Sequence, residues 1–192
     1  MKKIYVFLFN GYSDWEIAYL SPEIRKSGAF ELVYFSVDGL PVQSMGGMRV
    51  LPDSSLARVN VADVHMLILP GGEAWVIGGN REIDPLVKAL FAEKRAIAAI
   101  CGATVYLAEQ GYLNHLKHTS NDLHYLKGIA PRYSGERNYV NTLAVTDGHI
   151  ITASGIAPIE FAREVFAALE LYAEPDIEKW FQLFKNGAWS AL

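Results

Sequence analysis

The chain has 192 residues, of which 51% are hydrophobic and 20% charged, a composition typical of a folded globular protein with one substantial core. Its formal net charge is -4, and its lysines and arginines form no cluster larger than an adjacent pair. This pattern argues against nucleic acid or an anionic membrane as a partner. We therefore predict a single domain over residues 1–192.

The amino terminus indicates a buried strand rather than an export signal. Its apolar run, Ile4–Phe9, stops after six residues at Asn10 and Gly11, and no small-residue cleavage site follows. No apolar stretch approaches the roughly 20 residues that span a membrane, and a single cysteine cannot form an internal disulfide. These features predict a protein of the cytoplasm.

Apolar runs of strand length recur along the chain and alternate with helical patterns. The runs are Ile4–Phe9, Glu31–Val37, His65–Pro70, Ala96–Ile100 and His149–Ser154. Apolar residues at helical spacing occur over Ile83–Lys94, Thr104–Leu113, Ala157–Tyr172 and Pro175–Gly187. Strands without polar alternation are covered on both faces, so we predict an α/β fold in three layers, with helices on either side of a mostly parallel sheet.

Two further segments have patterns that predict local structure. Gly46 and Gly47 lie between two short apolar runs, which predicts a small β-hairpin inserted at the edge, between the second and third parallel strands. The apolar face of the last helix, which includes Ile177, Trp180 and Phe184, is interpreted as core, with a subunit contact as the alternative.

The only cysteine, Cys101, follows the strand Ala96–Ile100 and precedes Gly102 and a helical run. A lone cysteine is often just a small buried apolar side chain, and that interpretation stays open here. The alternative is a nucleophile elbow, in which a tight strand-to-helix turn presents the sulfur at the carboxyl edge of the sheet. The positive end of the following helix then predicts a lowered pKa for the thiol.

Two other loops reach the same sheet edge and can contribute to a site around Cys101. Gly72 belongs either to an ordinary turn or, together with Gly102, to a pair of backbone N–H donors for an oxyanion. Glu16 is spaced from Ser13 as in a capping box, whereas a protonated Glu16 carboxyl could instead donate a hydrogen bond to the thiolate or to an oxidised sulfur. The sequence leaves both alternatives open.

Two more candidate sites are weaker. His115 and His118 have the spacing of metal ligands, but no acidic or cysteine ligand accompanies them locally, so we predict no metal site. Asp38 follows the second strand as a ribose-binding acid would, but the loop after the first strand offers Gly11 alone rather than the glycine pattern of a dinucleotide fold. We therefore predict no cofactor.

Several separated motifs together resemble the ThiJ/PfpI family of the class I glutamine amidotransferase-like superfamily. They are DWEIA, LILPGG, AAICGAT, LNHLKHTSN and DGHIITASGIAPIEFAREV, which extend in the family's order from Ile4 to about Leu171. The resemblance implies a flavodoxin-like fold, homodimers, a nucleophile at Cys101, a glutamate at Glu16, and backbone oxyanion donors at Gly72 and Gly102.

The chain departs from this family where a histidine usually assists the cysteine. Protease-like members have a histidine directly after the nucleophile, where this chain has Gly102, and deglycase-like members have one near the position of Asn121. His124 is the candidate substitute, and the other histidines are interpreted as loop or surface residues. Without a histidine, Cys101 lacks a proton donor for a leaving group, which argues against efficient amide hydrolysis and glutamine amidotransfer.

The sequence thus predicts a cysteine-dependent hydrolase or a reactive-carbonyl enzyme of glyoxalase or deglycase type, acting on a small electrophile or a peptide-like substrate. The alternative is a non-catalytic redox sensor or stress-response protein that works through oxidation of Cys101. The candidate site residues are Cys101, Glu16, Gly72, Gly102, Asn121 and His124.

Overall fold

The computed structural model describes residues 1–189, so residues 190–192 of the predicted domain lie outside the described part. The strands are β1 (Lys2–Phe7), β2 (Phe30–Ser36), β3 (Val42–Gln43), β4 (Arg49–Val50), β5 (Ser54–Ser55), β6 (Val64–Leu69), β7 (Ala96–Ile100), β8 (Ala144–Asp147) and β9 (Ile150–Ala153). Seven of them form one sheet in the order β5-β2-β1-β6-β7-β9-β8. In this sheet β8 runs antiparallel to β9, and the other pairings are parallel.

Helices cover both faces of this sheet. They are α1 (Leu20–Ser27), α2 (Glu73–Val76), α3 (Asp84–Ala92), α4 (Gly102–Glu109), α5 (Leu123–Ile129), α6 (Pro158–Leu169) and α7 (Glu174–Asn186). One layer contains α1, α6 and α7, with α6 in contact with both of the others. The other layer contains α2, α3 and α4, with α3 and α4 packed against β7. The predicted three-layer, flavodoxin-like α/β fold is confirmed.

The five predicted apolar strands are β1, β2, β6, β7 and β9, each within two residues of its expected ends. Their lack of polar alternation follows from their position, because β1, β6 and β7 have a strand on each side and helices above and below. Ile4, Ile68 and Ala98 are examples of side chains with no exposed surface. This burial is the main source of the stability of the core.

The predicted hairpin is formed by β3 and β4, which pair antiparallel and make a small sheet of their own. Backbone hydrogen bonds attach this hairpin to the loop after β1: Gly11 N–H donates to Gln43 O, and Met45 N–H donates to Tyr12 O, both at 2.8 Å. The hairpin therefore supports the loop that continues to Glu16.

The apolar face of α7 is largely core. Ile177 and Trp180 are buried, and the Trp180 ring packs on Phe166 with 4.7 Å between ring centroids. Phe184 is 44% exposed, so the stripe reaches the surface at its carboxy-terminal end. Within residues 1–189, no helix combines the length and apolarity that a membrane crossing requires.

Candidate active site

Loops that follow four neighbouring parallel strands meet at one edge of the sheet. β1, β6, β7 and β9 lie side by side, and the segments after them carry Glu16, Gly71, Cys101 and Gly155 respectively. The carboxyl ends of parallel strands are where open α/β sheets bind ligands. The sheet order therefore brings together residues that are far apart in the sequence.

Cys101 occupies a strained turn between β7 and α4. Its backbone has φ 58° and ψ -124°, a conformation that residues with a side chain rarely adopt. Its N–H donates to Ala153 O at 3.0 Å, so the turn remains tied to β9. The predicted strand-to-helix elbow is thus present, and the sulfur is partly exposed at the sheet edge.

A short chain of hydroxyl groups holds the carbonyl of this turn. Thr104 donates from both its N–H, at 3.1 Å, and its hydroxyl, at 2.6 Å, to Cys101 O. The Thr104 hydroxyl lies 2.6 Å from Ser120 Oγ. Because Thr104 has already used its one hydroxyl proton, Ser120 is the donor in that contact. These bonds offset part of the strain of the turn.

Glu16 ends a short 3-10 helix, Asp14–Glu16, and its side chain has no exposed surface. Gly71 N–H donates to one carboxyl oxygen at 2.5 Å, while the other oxygen, Oε1, has no partner within the described residues. A carboxylate in such a place would lose most of its hydration. The carboxyl is therefore poised to hold a proton.

The capping-box interpretation of Glu16 is wrong. A capping box requires the Ser13 side chain to cap the helix and the Glu16 carboxyl to accept from the Ser13 N–H. Ser13 makes no such side-chain bond here, and its N–H donates to Gly71 O at 2.9 Å. The carboxyl instead lies near Cys101 across Gly71, where a Cβ would be 2.7 Å from Glu16 Oε2 and 2.6 Å from Cys101 Cβ.

Burial sets the protonation of both groups. Desolvation raises the pKa of Glu16 from 4.5 to about 7, against the opposing effect of the hydrogen bond from Gly71. Desolvation, and then the negative charge of Glu16, raise the pKa of the Cys101 thiol, although hydrogen bonds from Asn121 and Gly102 act in the other direction. The expected lowering of the Cys101 pKa by the helix is therefore wrong, because burial and like charge outweigh it.

Glycines surround Cys101 so closely that no larger residue fits without movement. A Cβ at Gly71 would lie 2.6 Å from Cys101 Cβ, and a Cβ at Gly102 would lie 2.7 Å from Gly72 O. Gly72 and Gly102 are thus adjacent in space, as the oxyanion interpretation requires. The same contact explains why the position after the cysteine carries no histidine: its side chain would displace the backbone of Gly72.

Asn121 contacts the sulfur directly. Its amide Nδ2 donates to Cys101 Sγ at 3.5 Å, and its Oδ1 accepts from Gly155 N–H at 2.8 Å. A Cβ at Gly155 would lie 2.7 Å from Cys101 Sγ, and Trp15 donates from its indole N–H to Gly155 O at 3.4 Å. Gly155 and Trp15 were missed at the sequence level; the Ser-Gly pair after the last parallel strand was the available signal.

No histidine within residues 1–189 forms a hydrogen bond with Cys101. His124 lies on the exposed side of α5, and its ring makes no hydrogen bond with Cys101 in the described part of the chain. His118, expected in a loop or at the surface, is fully buried: Nδ1 lies 2.7 Å from Leu116 O and Nε2 lies 2.6 Å from the Tyr133 hydroxyl. Both nitrogens are therefore occupied, which makes His118 structural rather than a metal ligand.

Together, these features define an α/β protein with a cysteine elbow, a buried carboxyl beside the sulfur and glycine-lined backbone around both. The sequence model of the DJ-1/PfpI family matches residues 2–168, and the chain belongs to this family.

Relatives of known name or structure are consistent with this membership. The chain is 39% identical to "Uncharacterized protease YoaZ" of Bacillus subtilis strain 168, over 96% of this chain and 91% of that protein. It is 26% identical to "Deglycase TK1284" of Thermococcus kodakarensis, over 62% of this chain and 71% of that protein. The crystal structure of the DJ-1 superfamily protein Atu0886 from Agrobacterium tumefaciens is similar with a TM-score of 0.89 at 37% identity, covering 97% of this chain and 99% of that chain.

Proposed function

We propose that this protein is a cysteine-dependent enzyme that acts on small reactive carbonyl compounds, in particular α-oxoaldehydes. The observation that carries the proposal is that the Cys101 and Glu16 side chains both lie against Gly71: a Cβ there would lie 2.6 Å from Cys101 Cβ and 2.7 Å from Glu16 Oε2, and burial raises the pKa of this carboxyl to about 7. A carboxyl that gains and loses its proton near neutral pH suits proton transfer with a neighbouring thiol. The relatives named as deglycases support a reaction of this type.

The first step of the proposed reaction moves one proton and forms one bond. The Glu16 carboxylate takes the thiol proton, and Cys101 Sγ then attacks the aldehyde carbon. The carbon–oxygen double bond opens, and its electron pair moves to the oxygen, which gives a hemithioacetal once that oxygen is protonated. The N–H groups of Gly72 and Gly102 are the proposed stabilisers of the oxyanion.

The remaining steps need water as the only co-reactant. The proton on the sulfur-bearing carbon moves to the neighbouring carbonyl carbon, and the hydroxyl proton of the hemithioacetal ends on the oxygen of that carbonyl. The hemithioacetal thereby isomerises to a 2-hydroxy thioester. Water then breaks the bond to Cys101 Sγ, releasing a 2-hydroxy acid and restoring the thiol. The sum is the hydration and internal redox conversion of an α-oxoaldehyde, with no external oxidant or reductant.

Amide hydrolysis is the less favoured hydrolytic alternative. It requires an acid that protonates a departing amine, a role that the family assigns to a histidine missing here. Carbonyl addition has no leaving group in its first step, so the loss of that histidine affects it less. The relatives named as proteases make a peptide amide the necessary comparison substrate.

The test compares methylglyoxal with a peptide amide. Wild type is expected to consume methylglyoxal and produce lactate, Cys101→Ser to lose this activity, and His115→Ala, an exposed control, to retain it. Turnover of the peptide but not of methylglyoxal would replace the proposal by a hydrolase. Turnover of neither substrate, by a folded protein whose Cys101 still reacts with iodoacetamide, would contradict an enzymatic function of either kind.

A redox role is the second candidate, and it depends on the same pair of side chains. A protonated Glu16 can donate a short hydrogen bond to a sulfinate formed on Cys101, which would stop oxidation before the sulfonate. Graded peroxide treatment followed by intact mass measurement tests this role. A stable two-oxygen adduct in wild type, absent in Glu16→Ala, together with no turnover, would favour the sensor over the enzyme.

The proposed setting is a homodimer in a reducing cytoplasm with a small-molecule substrate and without nucleic acid. A free, partly exposed thiol is compatible with that compartment. Light scattering coupled to size-exclusion chromatography tests the dimer, and a monomeric mass at micromolar concentration would contradict it.

A further inference from the structure

The proposed reaction leaves the substituent of the substrate without an assigned contact. Cys101 and Glu16 act on the carbonyl group, while the rest of an α-oxoaldehyde has to lie along the same sheet edge. Trp15 is located at this edge, directly before Glu16 in the short 3-10 helix, and its side chain is 45% exposed. A large apolar surface beside a reactive group is a candidate contact for a substrate.

Gly155 connects Trp15 to the sulfur. The indole N–H of Trp15 donates to Gly155 O at 3.4 Å, and a Cβ on the same glycine would lie 2.7 Å from Cys101 Sγ. With standard covalent distances, these two contacts place the indole nitrogen within about 10 Å of the sulfur. The Gly155 carbonyl also belongs to the peptide bond that leads to Ile156, whose side chain is 82% exposed. Two exposed apolar side chains thus lie next to the segment that borders the sulfur.

The β3–β4 hairpin holds the backbone that carries Trp15. Asp14 Oδ1 accepts from Trp15 N–H at 3.1 Å, while its Oδ2 accepts from the Ser44 hydroxyl at 2.6 Å and from Gly46 N–H at 3.1 Å. In the described part of the chain the Trp15 ring packs on no other aromatic ring, unlike the buried Trp75 ring, which packs on several. The indole is therefore held in place, and much of its surface stays open to a ligand, which lowers the ordering cost of binding.

We propose that Trp15, together with Ile156, binds the substituent of the substrate and makes the site selective for α-oxoaldehydes that carry an aromatic group, such as phenylglyoxal. This inference rests on the proposed function and narrows its substrate class. A phenyl ring in place of the methyl group of methylglyoxal extends several ångström further from the sulfur. It also presents a face and an edge that can pack on an indole, which a methyl group does not.

The test compares phenylglyoxal with methylglyoxal through the ratio of their kcat/KM values. Trp15→Ala should lower this ratio by about 10-fold, since it removes an aromatic pair and the apolar area that the pair buries. Ile156→Ala should lower it less, and Trp15→Phe, which keeps an aromatic ring, should retain most of it. The matched control is Trp189→Ala, which removes an 84% exposed tryptophan beside Lys26 and Ser27 and should leave the ratio unchanged.

Alkylation tests the same contact without turnover. Iodoacetamide and N-phenyl iodoacetamide both transfer an acetamide carbon to the sulfur and release iodide, but only the second reagent carries an aromatic ring. Relative to free cysteine, wild type should prefer the phenyl reagent, and Trp15→Ala should lose this preference. If wild type turns over neither aldehyde, the proposed function fails, and the alkylation preference alone then supports or overturns the role of Trp15.

Two kinds of result would overturn the assignment. The first is an unchanged preference for the aromatic compound in Trp15→Ala, in turnover or in alkylation. The second is an equal fall for both substrates. Accompanied by a lower molecular mass in light scattering, it would assign Trp15 to a subunit contact; without one, it would make Trp15 a structural support of the Glu16 loop.

Discussion

Replacing Glu16 by Gln should make the protein progressively more stable relative to wild type as the pH rises from acidic to alkaline values. The pKa of Glu16 rises from 4.5 to about 7 in the folded state because its side chain is fully buried. The folded protein therefore binds this proton more tightly than the unfolded chain. Its stabilising effect is complete below pH 4.5 and is lost as the pH rises to about 7.

The magnitude follows from the size of that pKa change. One pKa unit corresponds to about 1.4 kcal/mol, so ionisation of Glu16 costs wild type about 3 kcal/mol of unfolding free energy in full. Gln stays neutral and does not incur this loss. The unfolding free energy of Glu16→Gln minus that of wild type should therefore increase by about 3 kcal/mol with rising pH, mostly between pH 5 and 8.

Urea unfolding at several pH values measures this difference. The change with pH is the informative quantity, because the new amide group can lose or gain a hydrogen bond and so shift the difference by a constant amount. Glu73→Gln removes an exposed carboxyl at the start of α2 and serves as the control. A difference that stays constant from pH 5 to 8, or that falls, would refute a buried proton on Glu16.

Two further predictions concern the backbone around the sulfur. Gly155→Ala places a Cβ 2.7 Å from Cys101 Sγ, so alkylation and turnover should slow by up to about 10²-fold, whereas Gly128→Ala, with no heavy atom within 4 Å, should leave both unchanged. Thr104→Val removes a hydroxyl bond to Cys101 O and should lower the free energy of unfolding by about 1–3 kcal/mol in urea. Thr146→Val, which loses a more exposed bond to Glu164, should cost less.

The sequence predicted those elements of the fold that a local pattern of residues determines. Continuous apolar runs gave the central strands, because these strands are buried on both faces. It did not predict β5, β8 or helices α1, α2 and α5, which are short. β8 is an edge strand with no fully buried residue, and it joins β9 through a turn at Gly148, whose φ is 59°. Such a strand depends on its partner rather than on its own hydrophobicity.

The candidate site was predictable where each residue had its own local signal. The elbow at Cys101 and the loop of Glu16 lie directly after apolar strands, so the sheet edge could be inferred. Gly155 becomes a neighbour of the sulfur only through the pairing of β7 with β9. The prediction of a lowered pKa for the Cys101 thiol was wrong for the same reason. The sequence shows the helix that follows the cysteine, but it does not show that Glu16 is buried near the sulfur.

The coupled protons of Cys101 and Glu16 determine the pH range in which the thiol can react. A thiolate beside a protonated carboxyl and a thiol beside a carboxylate carry the same charge, so the ratio between these two forms does not depend on pH. The total amount of the singly protonated pair does depend on pH. It grows as the pH rises through about 7, where Glu16 titrates. The reactive thiolate is therefore available below the raised pKa of the thiol itself. Burial of Glu16 therefore does not prevent Cys101 from reacting. It makes the pH range in which the thiolate forms depend on the pKa of the Glu16 carboxyl.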